Sequence, residues 1–418
     1  MNVVVVALGK IGLPLAAHIA KAGHAVVGCD VDERVVAAVN DAREPFPGEA
    51  GLADALRELV PAGRLRAQAD TAAAVAEAPE LVLAVPPLMV DEQARPDFAI
   101  LDAVLEDVGR GLKAGTTVSV ETTLPVGTTR ERIAPALERA SGLRAEVDFH
   151  TIFSPERVFS GRIFRDLDTY PKLVGGLSPD GEICGVELYR QFISAEVWPM
   201  GGAEAAELTK LAETTYRDVN IAFANELAML ADRAGVDVER VIAAANSQPF
   251  SHIHHPGVAV GGHCIPVYPR FLLHGDPSVR LPAAARAVND AMPAYAVALL
   301  EQALGGVRRE RVLILGVAYR GGVKETAFSG AFGLRDALRA AGAEPVAADP
   351  LYDVDELRAL GFEPWDGGEV AGAVLQADHE AYRALAAADL PGVRAVVDGR
   401  GVLDRERFAG VSVRRIGG

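Results

Sequence analysis

Short apolar runs alternate along this chain with longer stretches that have a helical pattern. Residues 2–6 contain a β-branched run, which is typical of a parallel strand buried on both faces. A helix-like segment follows at 13–23, and a second strand-like run over 24–30 ends at Asp30. This order of strand, helix and strand predicts a βαβ unit at the start of the chain.

Two further apolar runs end in turn-forming sequence. The run LVLAVP at 81–86 is followed by Pro87, and the run TTVSVET at 116–122 leads into the turn TLPVGTT. In open α/β sheets, ligands bind at the carboxyl ends of the strands. We therefore expect both turns to lie at a ligand-binding edge.

The middle of the chain has a different pattern. Residues 201–233 have apolar spacings of three and four and end near a glycine, which predicts one long helix. A second helical stretch covers 281–304, and a new alternation of strands and helices begins at Arg311. The predicted fold class is α/β, with two Rossmann-like doubly wound domains joined by a central helical segment. We expect these three parts to span 1–198, 199–304 and 305–418.

The turn after the first strand carries Gly9 and Gly12. The usual dinucleotide fingerprint is GxGxxG, followed about 20 residues later by an acid that accepts hydrogen bonds from ribose. Asp30 is that acid here, and Ala7 stands where the first glycine is usual. We predict a dinucleotide site, and NAD rather than NADP because a carboxylate repels a 2′-phosphate. The alternative is a turn that binds no ligand, with its glycine serving only close packing.

The amino-acid composition limits the class of protein to which this chain can belong. The chain has 418 residues, is 50% hydrophobic and carries a net charge of −16, which argues against broad binding to nucleic acid or anionic membranes. No apolar run approaches a membrane span, and the first residues lack the features of a signal peptide. Three cysteines are too few for a disulfide framework, so we expect a cytoplasmic protein.

Histidines cluster only at SHIHH, which holds His252, His254 and His255. No second group of ligands with a recognisable spacing accompanies them. We therefore expect a polar loop there and no metal.

The segment PGVAVGGHCIPVYP at 256–269 has the strongest chemical signal. Gly261 and Gly262 let the backbone approach a ligand closely. His263 precedes Cys264, and neighbouring cations favour the reactive thiolate form of a cysteine. The segment is compatible with a nucleophile, and equally with a small buried apolar cysteine.

The motifs together resemble one family, the NAD-dependent nucleotide-sugar 6-dehydrogenases of the UDP-glucose and UDP-N-acetylmannosamine dehydrogenase superfamily. The resemblance runs along the whole chain and in order. Its motifs are ALGKIGLPLA at 7–16, EPFPGEAGL at 44–52, AVPPLM at 84–89, ETTLPVGTT at 121–129, FSPERV at 153–158, ELTKLAETTYRDVNIAFANELA at 207–228, GGHCIPV at 261–267 and VVDGRGVLD at 396–404. The ERV and GGHC versions are closer to the N-acetylhexosamine branch.

This resemblance implies oxidation of a primary alcohol, C6 of the sugar, to a carboxylate in two hydride transfers. Cys264 is implied as the nucleophile that forms a thiohemiacetal and then a thioester, and Lys210 as the group that stabilises its oxyanion. Glu156 is implied as the carboxylate for proton transfer and water activation. The implied cofactor contacts are Gly9, Lys10, Ile11, Gly12, Asp30, Pro86 and Thr123 (Thr123 also as a water contact), and the implied substrate contacts are Phe153, Glu156, Lys210, Gly261, Gly262 and Arg400.

Besides Ala7, the chain departs from the family at functional positions. Thr214 replaces an asparagine four residues after the lysine, and Tyr268 replaces an aspartate thought to activate water. Phe250 and Ala327 stand where the family has arginines, the first a substrate contact and the second in its K-x-x-x-D-x-R-E-S segment. A phenol is a poor base at neutral pH, so thioester hydrolysis is the step most affected. A modified sugar nucleotide or a nucleoside from specialised sugar biosynthesis is a further substrate class.

Three functional interpretations follow. The first is NAD-dependent oxidation of a nucleotide sugar, most simply a UDP-sugar, either to the acid or arrested at the aldehyde. The second keeps the cofactor but uses transient oxidation for epimerisation, with no net redox change. The third is a non-catalytic homologue that binds a ligand or a partner.

The family resemblance also implies a homodimer built across the central helix. The apolar face of 201–233 is compatible with that contact, although a buried core uses such a face equally well. Its residues are Leu208, Leu211, Ile221, Phe223, Leu227 and Leu230.

Overall fold

A computed structural model of the chain describes residues 1–77, 79–159 and 161–418. The chain divides into two compact units, Met1–Ala212 and Glu213–Gly418. The border falls inside a single helix. The division predicted from the sequence, with a separate central part, stays a prediction.

The first unit is built on an eight-stranded sheet in the order β10-β9-β8-β7-β4-β1-β2-β3. Neighbouring strands are parallel except for the antiparallel pair β8 and β9. Its strands are β1 (Asn2–Val6), β2 (Ala25–Cys29), β3 (Leu65–Gln68), β4 (Leu81–Ala84), β7 (Thr117–Val120), β8 (His150–Phe153), β9 (Lys172–Gly176) and β10 (Val197–Pro199). A separate hairpin pairs β5 (Met89–Val90) with β6 (Pro96–Asp97).

Helices cover the sheet on both faces, which explains why β1 and β4 are almost uninterruptedly apolar and why every residue of β4 and β7 is buried. The helices of this unit are α1 (Gly12–Lys21), α2 (Glu33–Asn40), α3 (Leu52–Leu59), α4 (Thr71–Ala76), α5 (Ala99–Gly111), a π-helical turn (Thr129–Ile133) that continues into α6 (Ala134–Ser141), α7 (Ile163–Leu167) and α8 (Pro179–Tyr189). Asp32, Asp70 and Ser178 cap α2, α4 and α8 by accepting a backbone N–H.

A 32-residue helix, α9 (Ala203–Ala234), follows. The predicted helix at 201–233 is therefore confirmed. The helix predicted at 281–304 is confirmed as α12 (Leu281–Leu304), which ends at the left-handed Gly305. Two shorter helices lie between them, α10 (Val238–Ala245) and α11 (Tyr268–Gly275).

The second unit repeats the topology of the first. Its six-stranded parallel sheet has the order β13-β12-β11-β14-β15-β16, which places its strands as β3-β2-β1-β4-β7-β8 are placed in the first unit. The strands are β11 (Arg311–Leu315), β12 (Glu344–Ala348), β13 (Glu363–Pro364), β14 (Gly372–Leu375), β15 (Ala395–Asp398) and β16 (Ser412–Arg415). The helices that pack with them are α13 (Gly330–Ala340), α14 (Val354–Ala359), α15 (Glu380–Arg383) and the 3₁₀ turns Ala387–Asp389 and Arg405–Phe408. The prediction of two doubly wound parallel sheets is confirmed.

No helix within the described ranges is long and apolar enough to cross a lipid bilayer.

Candidate active site

The turn between β1 and α1 brings the chain back on itself tightly. Ala7 has a left-handed backbone, with φ at +73°, and its N–H donates to the carbonyl of Cys29 at 2.8 Å. A Cβ atom at Gly12 would lie 1.9 Å from the carbonyl oxygen of Ala7. Only glycine therefore allows helix α1 to start this close to the turn. A Cβ atom at Gly9 would meet open space, so no neighbouring atom blocks access to the Gly9 backbone from that side.

Asp30 lies at the end of β2 and faces the same turn. Its carboxylate accepts the backbone N–H of Leu8 at 2.8 Å and that of Asp32 at 2.9 Å. An oriented acid beside an uncovered glycine turn and a helix N-terminus fits the ribose and diphosphate of a dinucleotide. The exposed Lys10, the half-buried Ile11 and the buried Pro86 complete the predicted cofactor residues.

The loop after β7 carries Thr123, which is buried. This loop is held by Glu207 of helix α9. The Glu207 carboxylate accepts the backbone N–H of Gly127 at 2.6 Å and both the N–H and the hydroxyl of Thr129, at 2.8 and 2.6 Å. It thereby caps the helix that starts at Thr129. Burial raises the pKa of Glu207, against the effect of these hydrogen bonds.

Glu156 lies in the loop after β8 and points toward the interior. Its Oε2 is 2.9 Å from the Nζ of Lys172, and the same Nζ is 2.7 Å from Oε2 of Glu121. The two partners come from the strands on either side of β8, with Glu121 just after β7 and Lys172 at the start of β9. Sequence reasoning missed Lys172 and Glu121. The signal that the sequence offers for them is a charged residue at the end of a strand, since such a residue can lie at the ligand-binding edge of the sheet.

These three groups set each other's protonation. Burial raises the pKa of Glu121 to about 7, and the neighbouring Lys172 ammonium only partly offsets that rise. Burial acts on Glu156 in the same direction, but the charge and hydrogen bond of Lys172 outweigh it and hold the pKa of Glu156 below its usual range. Burial also opposes the charge on Lys172, yet the two carboxylates raise the pKa of Lys172.

Lys210 of helix α9 reaches the same loop. Its Nζ donates to the backbone carbonyl of Glu156 at 2.7 Å. The structure thus brings together two of the predicted site residues, Lys210 and Glu156, through the backbone carbonyl of Glu156. Phe153, at the end of β8, is fully buried and its side chain packs in the core, while its predicted substrate contact stays a prediction.

In the second unit, Cys264 is a free and exposed cysteine just before helix α11. Its carbonyl accepts the N–H of Val267 at 3.2 Å and that of Tyr268 at 2.9 Å, which forms the turn that leads into the helix. Tyr268 is half-buried and its ring packs against Phe271. The alternative of a buried apolar cysteine is wrong for Cys264.

The two glycines before the cysteine permit close packing against the protein itself. A Cβ at Gly261 would lie 2.7 Å from Cβ of Tyr319, and one at Gly262 would lie 3.1 Å from its ring. Gly262 is also left-handed, with φ at +93°, and its N–H donates to the carbonyl of Ala327 at 2.8 Å. The predicted substrate contacts at both glycines stay predictions. Close packing against Tyr319 is a second reason for glycine at these two positions.

Arg400 anchors this region from the end of β15. Its guanidinium donates to the carbonyls of Gln376 at 2.6 Å and Ala259 at 3.2 Å, and to the amide oxygen of Gln376 at 3.0 Å. Burial lowers the pKa of Arg400, partly offset by the negative charge of Asp378. A cleft of about 190 Å³ lies beside Arg400 and is lined by Ile221, His255, Gly257, Gly261, Tyr319 and Arg320, among others.

A buried polar chain supports the segment that leads to the cysteine. Asn225 accepts the N–H of Gly257 at 2.9 Å and donates to Asn289 at 2.9 Å. Asn289 in turn donates to Asp218, whose carboxylate pairs with Arg286 at 2.5 Å. Asp218 and Asn225 of this polar network lie on α9, and Arg286 and Asn289 lie on α12. No sequence motif pointed to it.

Besides Ala7 and Tyr268, the three positions that depart from the family resemblance have different settings. Thr214 is buried on α9, one helical turn after Lys210, while Phe250 is 92% exposed. Ala327 is half-buried, and its carbonyl accepts the N–H of Gly262. No group of three or more histidine, cysteine or acidic side chains within the described ranges could hold a metal ion, and SHIHH is a loop.

Two family models match the chain. The model described as "UDP-glucose/GDP-mannose dehydrogenase family, NAD binding domain" matches residues 1–193, and the model described as the "central domain" of the same family matches residues 204–291.

Known proteins are similar along nearly the whole chain. The UDP-N-acetyl-D-mannosamine dehydrogenase of Pyrococcus horikoshii is 36% identical over 355 residues, which cover 84% of each chain. The NDP-N-acetyl-D-galactosaminuronic acid dehydrogenase of Ralstonia solanacearum is 33% identical over 418 residues, or 97% of each chain. A solved structure of UDP-D-ManNAc dehydrogenase from Pyrococcus horikoshii has a TM-score of 0.90 at 32% identity, and the match covers 100% of this chain and 99% of that one.

Proposed function

The chain belongs to the UDP-glucose/GDP-mannose dehydrogenase family and is an NAD-dependent dehydrogenase, and from this premise we propose that it oxidises C6 of a nucleotide sugar through a covalent adduct on Cys264. The substrate class is a UDP-hexose or a UDP-N-acetylhexosamine. The names of the similar proteins favour the N-acetylhexosamine type. The observation that carries the proposal is the exposed, free thiol of Cys264 at the head of helix α11, in a loop that borders a cleft.

The first step converts the alcohol to the aldehyde. NAD, held by the turn at Gly9 and Gly12 and by Asp30, would supply the hydride acceptor for C6. We assign the uptake of the hydroxyl proton to the Glu156 carboxylate, which Lys172 keeps ionised by holding its pKa below the usual range. Lys210, whose ammonium lies at the same loop, stabilises the oxygen that becomes negative.

The second step uses the cysteine. The Cys264 thiolate adds to the carbonyl carbon and forms a thiohemiacetal, from which a second hydride leaves to give a thioester. Water then cleaves the C–S bond and releases the acid and the thiol. Tyr268 stands at the position where the family resemblance implies a water-activating aspartate, so we propose that hydrolysis is slow or redirected. Losing a general base typically slows a step about 10²–10⁴-fold.

The test is the ratio of NADH formed to sugar consumed, with product masses, over a panel of UDP-hexoses and UDP-N-acetylhexosamines. We expect fewer than two NADH per sugar, and an aldehyde or an enzyme-bound thioester in the mass spectrum. Two NADH per sugar and a free uronic acid at ordinary rates contradict the redirected hydrolysis but keep the dehydrogenase. Tyr268→Asp is the matched variant, and it should raise the yield of acid.

The other interpretations have different signatures in the same assay. An epimerase gives an isomeric product with no net NADH. A binding protein gives neither, and its Cys264→Ala variant behaves like the wild type in ligand binding and in its cellular role. Cys264→Ala should instead abolish acid formation while leaving NAD binding intact.

We also propose that two copies of the chain associate through helix α9. Tyr216, Phe223 and Leu230 lie seven residues apart, two helical turns each, so they share one face. They are 57%, 48% and 53% exposed, which is unusual for three large apolar side chains in one row. Leu211, by contrast, is fully buried in the chain itself.

A further inference from the structure

Lys172 sits between two carboxylates in the interior of the first unit. The side chains of Lys172, Glu121 and Glu156 are 4%, 0% and 10% exposed. Two carboxylates and one ammonium leave one negative charge in excess, and burial disfavours that charge. A buried cluster of this composition has a strong tendency to hold one extra proton.

The hydrogen bonds of the cluster form a continuous path. Oε1 of Glu156 accepts the backbone N–H of Arg157 at 2.7 Å, and its Oε2 faces Lys172. Lys172 faces Oε2 of Glu121, and Oε1 of Glu121 accepts the hydroxyl of Tyr189. The Tyr189 hydroxyl is also 2.8 Å from Oγ of Ser119. Each carboxylate therefore keeps one oxygen fixed and offers the other to the same ammonium.

We propose that Glu121 stores the proton that Glu156 removes from the substrate, and that the Lys172 ammonium passes it between them. The inference rests on the proposed function, because it needs Glu156 to act on the substrate. Oxidation to an acid requires a base in more than one step, while one carboxylate accepts a single proton. A second carboxylate linked through Lys172 returns Glu156 to its ionised form between the steps.

The transfer balances atom by atom. The substrate O–H bond breaks and its proton joins Oε2 of Glu156. Glu156 passes this proton to Nζ of Lys172 as Nζ releases one of its own to Oε2 of Glu121. Lys172 ends as an ammonium, Glu156 as a carboxylate and Glu121 as a neutral acid, so no charge is left unpaired.

The charged and titratable groups around the cluster agree with these roles. Burial, followed by the charge and hydrogen bond of Glu121, raises the pKa of Tyr189 well above its usual value, so the phenol stays a donor to Glu121. Lys210 holds the backbone of Glu156, and the Arg157 guanidinium donates to the carbonyl of Pro171 at 3.2 Å. Burial lowers the pKa of His18, against the attraction of Asp168 and then of Glu156, which leaves it neutral near pH 7. The pKa of Glu121, about 7, makes it the carboxylate that releases its proton at neutral pH.

The test is the pH profile of NADH formation in Glu121→Gln, which keeps the shape of Glu121 and one acceptor oxygen for Lys172 but cannot store a proton. The wild-type rate should rise with pH through about 7, as Glu121 becomes able to accept the proton. Glu121→Gln should lose this rise and lower kcat about 10²-fold with little change in KM. Glu204→Gln, an exposed carboxylate paired with Arg130 on the same unit, is the control. A kcat and a pH profile that Glu121→Gln leaves unchanged overturn the proposal.

A second measurement needs no substrate. The infrared C=O band of a protonated carboxyl should disappear as the pH rises through about 7 in the wild type. That titration should be missing from Glu121→Gln and displaced in Tyr189→Phe, which keeps the ring and removes the hydroxyl. No such band in the wild type overturns proton storage even if the enzyme turns over. A band of this kind without NADH formation from any nucleotide sugar instead contradicts the proposed function and leaves the storage site in place.

Discussion

The carbonyl oxygen of Ala7 occupies the space that a side chain at Gly12 would need, 1.9 Å from the position of its Cβ. Gly12→Ala should therefore push helix α1 away from the turn and lower the free energy of unfolding by about 1–3 kcal/mol. NAD binding should fall with it. Urea unfolding and a calorimetric NAD titration measure the two effects. Gly9→Ala is the matched control, because a Cβ there meets open space and should spare stability while still hindering a diphosphate.

Ala7 holds a backbone conformation that alanine avoids. Its φ of +73° costs a non-glycine residue about 1–2 kcal/mol, while glycine adds about 0.4–1 kcal/mol of entropy loss on folding. Ala7→Gly should accordingly stabilise the protein by about 0.5–1 kcal/mol without weakening NAD binding. A lower denaturation midpoint for Ala7→Gly would show that the strain is not present.

Most of the fold could be predicted from the sequence, since long periodic segments carry strong signals. The βαβ opening, the two long helices and the second α/β unit all appeared as apolar patterns. The strands β8, β9 and β10 on one side of the first unit's sheet did not, because β8 and β9 begin with a polar or charged residue and β10 has only three residues. Short strands are fixed by their neighbours in the sheet rather than by their own pattern.

The candidate site could be predicted only where its residues lie close together in the sequence. The glycine turn, Asp30 and the cysteine loop are short motifs, and the structure gives each a defined setting. Lys172 and Glu121 are 51 positions apart, so nothing in the sequence pairs them. Arg400 was predicted as a substrate contact, but its guanidinium is largely engaged by protein oxygens.

Glu207 ties helix α9 to the loop that carries Thr123. Glu207→Ala should leave the N–H groups of Gly127 and Thr129 without their acceptor, at a cost of about 1–3 kcal/mol of unfolding free energy. Glu204→Ala removes an exposed ion pair one turn earlier and should change stability by less than about 1 kcal/mol. Thermal unfolding of the two variants measures both losses of stability. Equal losses of unfolding free energy in Glu207→Ala and Glu204→Ala would contradict the capping role of Glu207.

His18 makes stability depend on pH. It donates from Nε2 to the carbonyl of Phe192 at 2.9 Å, and burial lowers its pKa below 6.5, against the nearby Asp168. The unfolded chain takes up this proton at a higher pH than the folded chain does. The unfolding free energy should therefore fall as the pH drops from about 6.5 toward the lowered pKa of His18.

His18→Gln removes this contribution, so the difference in stability between wild type and variant should shrink over the same pH range. Chemical unfolding at a series of pH values between 5 and 7 measures it, with His252→Gln at an exposed position as the control. A constant difference across the range contradicts a burial effect on His18.

The exposed row on helix α9 predicts the oligomeric state. Phe223 is the middle of the three side chains, so a charge there would be desolvated by a second copy of the chain. Phe223→Glu should raise the dimer dissociation constant by at least about 30-fold, equivalent to about 2 kcal/mol for a central contact. Sedimentation at several concentrations measures the constant. Val241→Glu, which replaces a valine that is 43% exposed on helix α10 and outside the row, should leave it unchanged. A monomeric wild type, or equal effects of the two variants, would place any self-association on another surface.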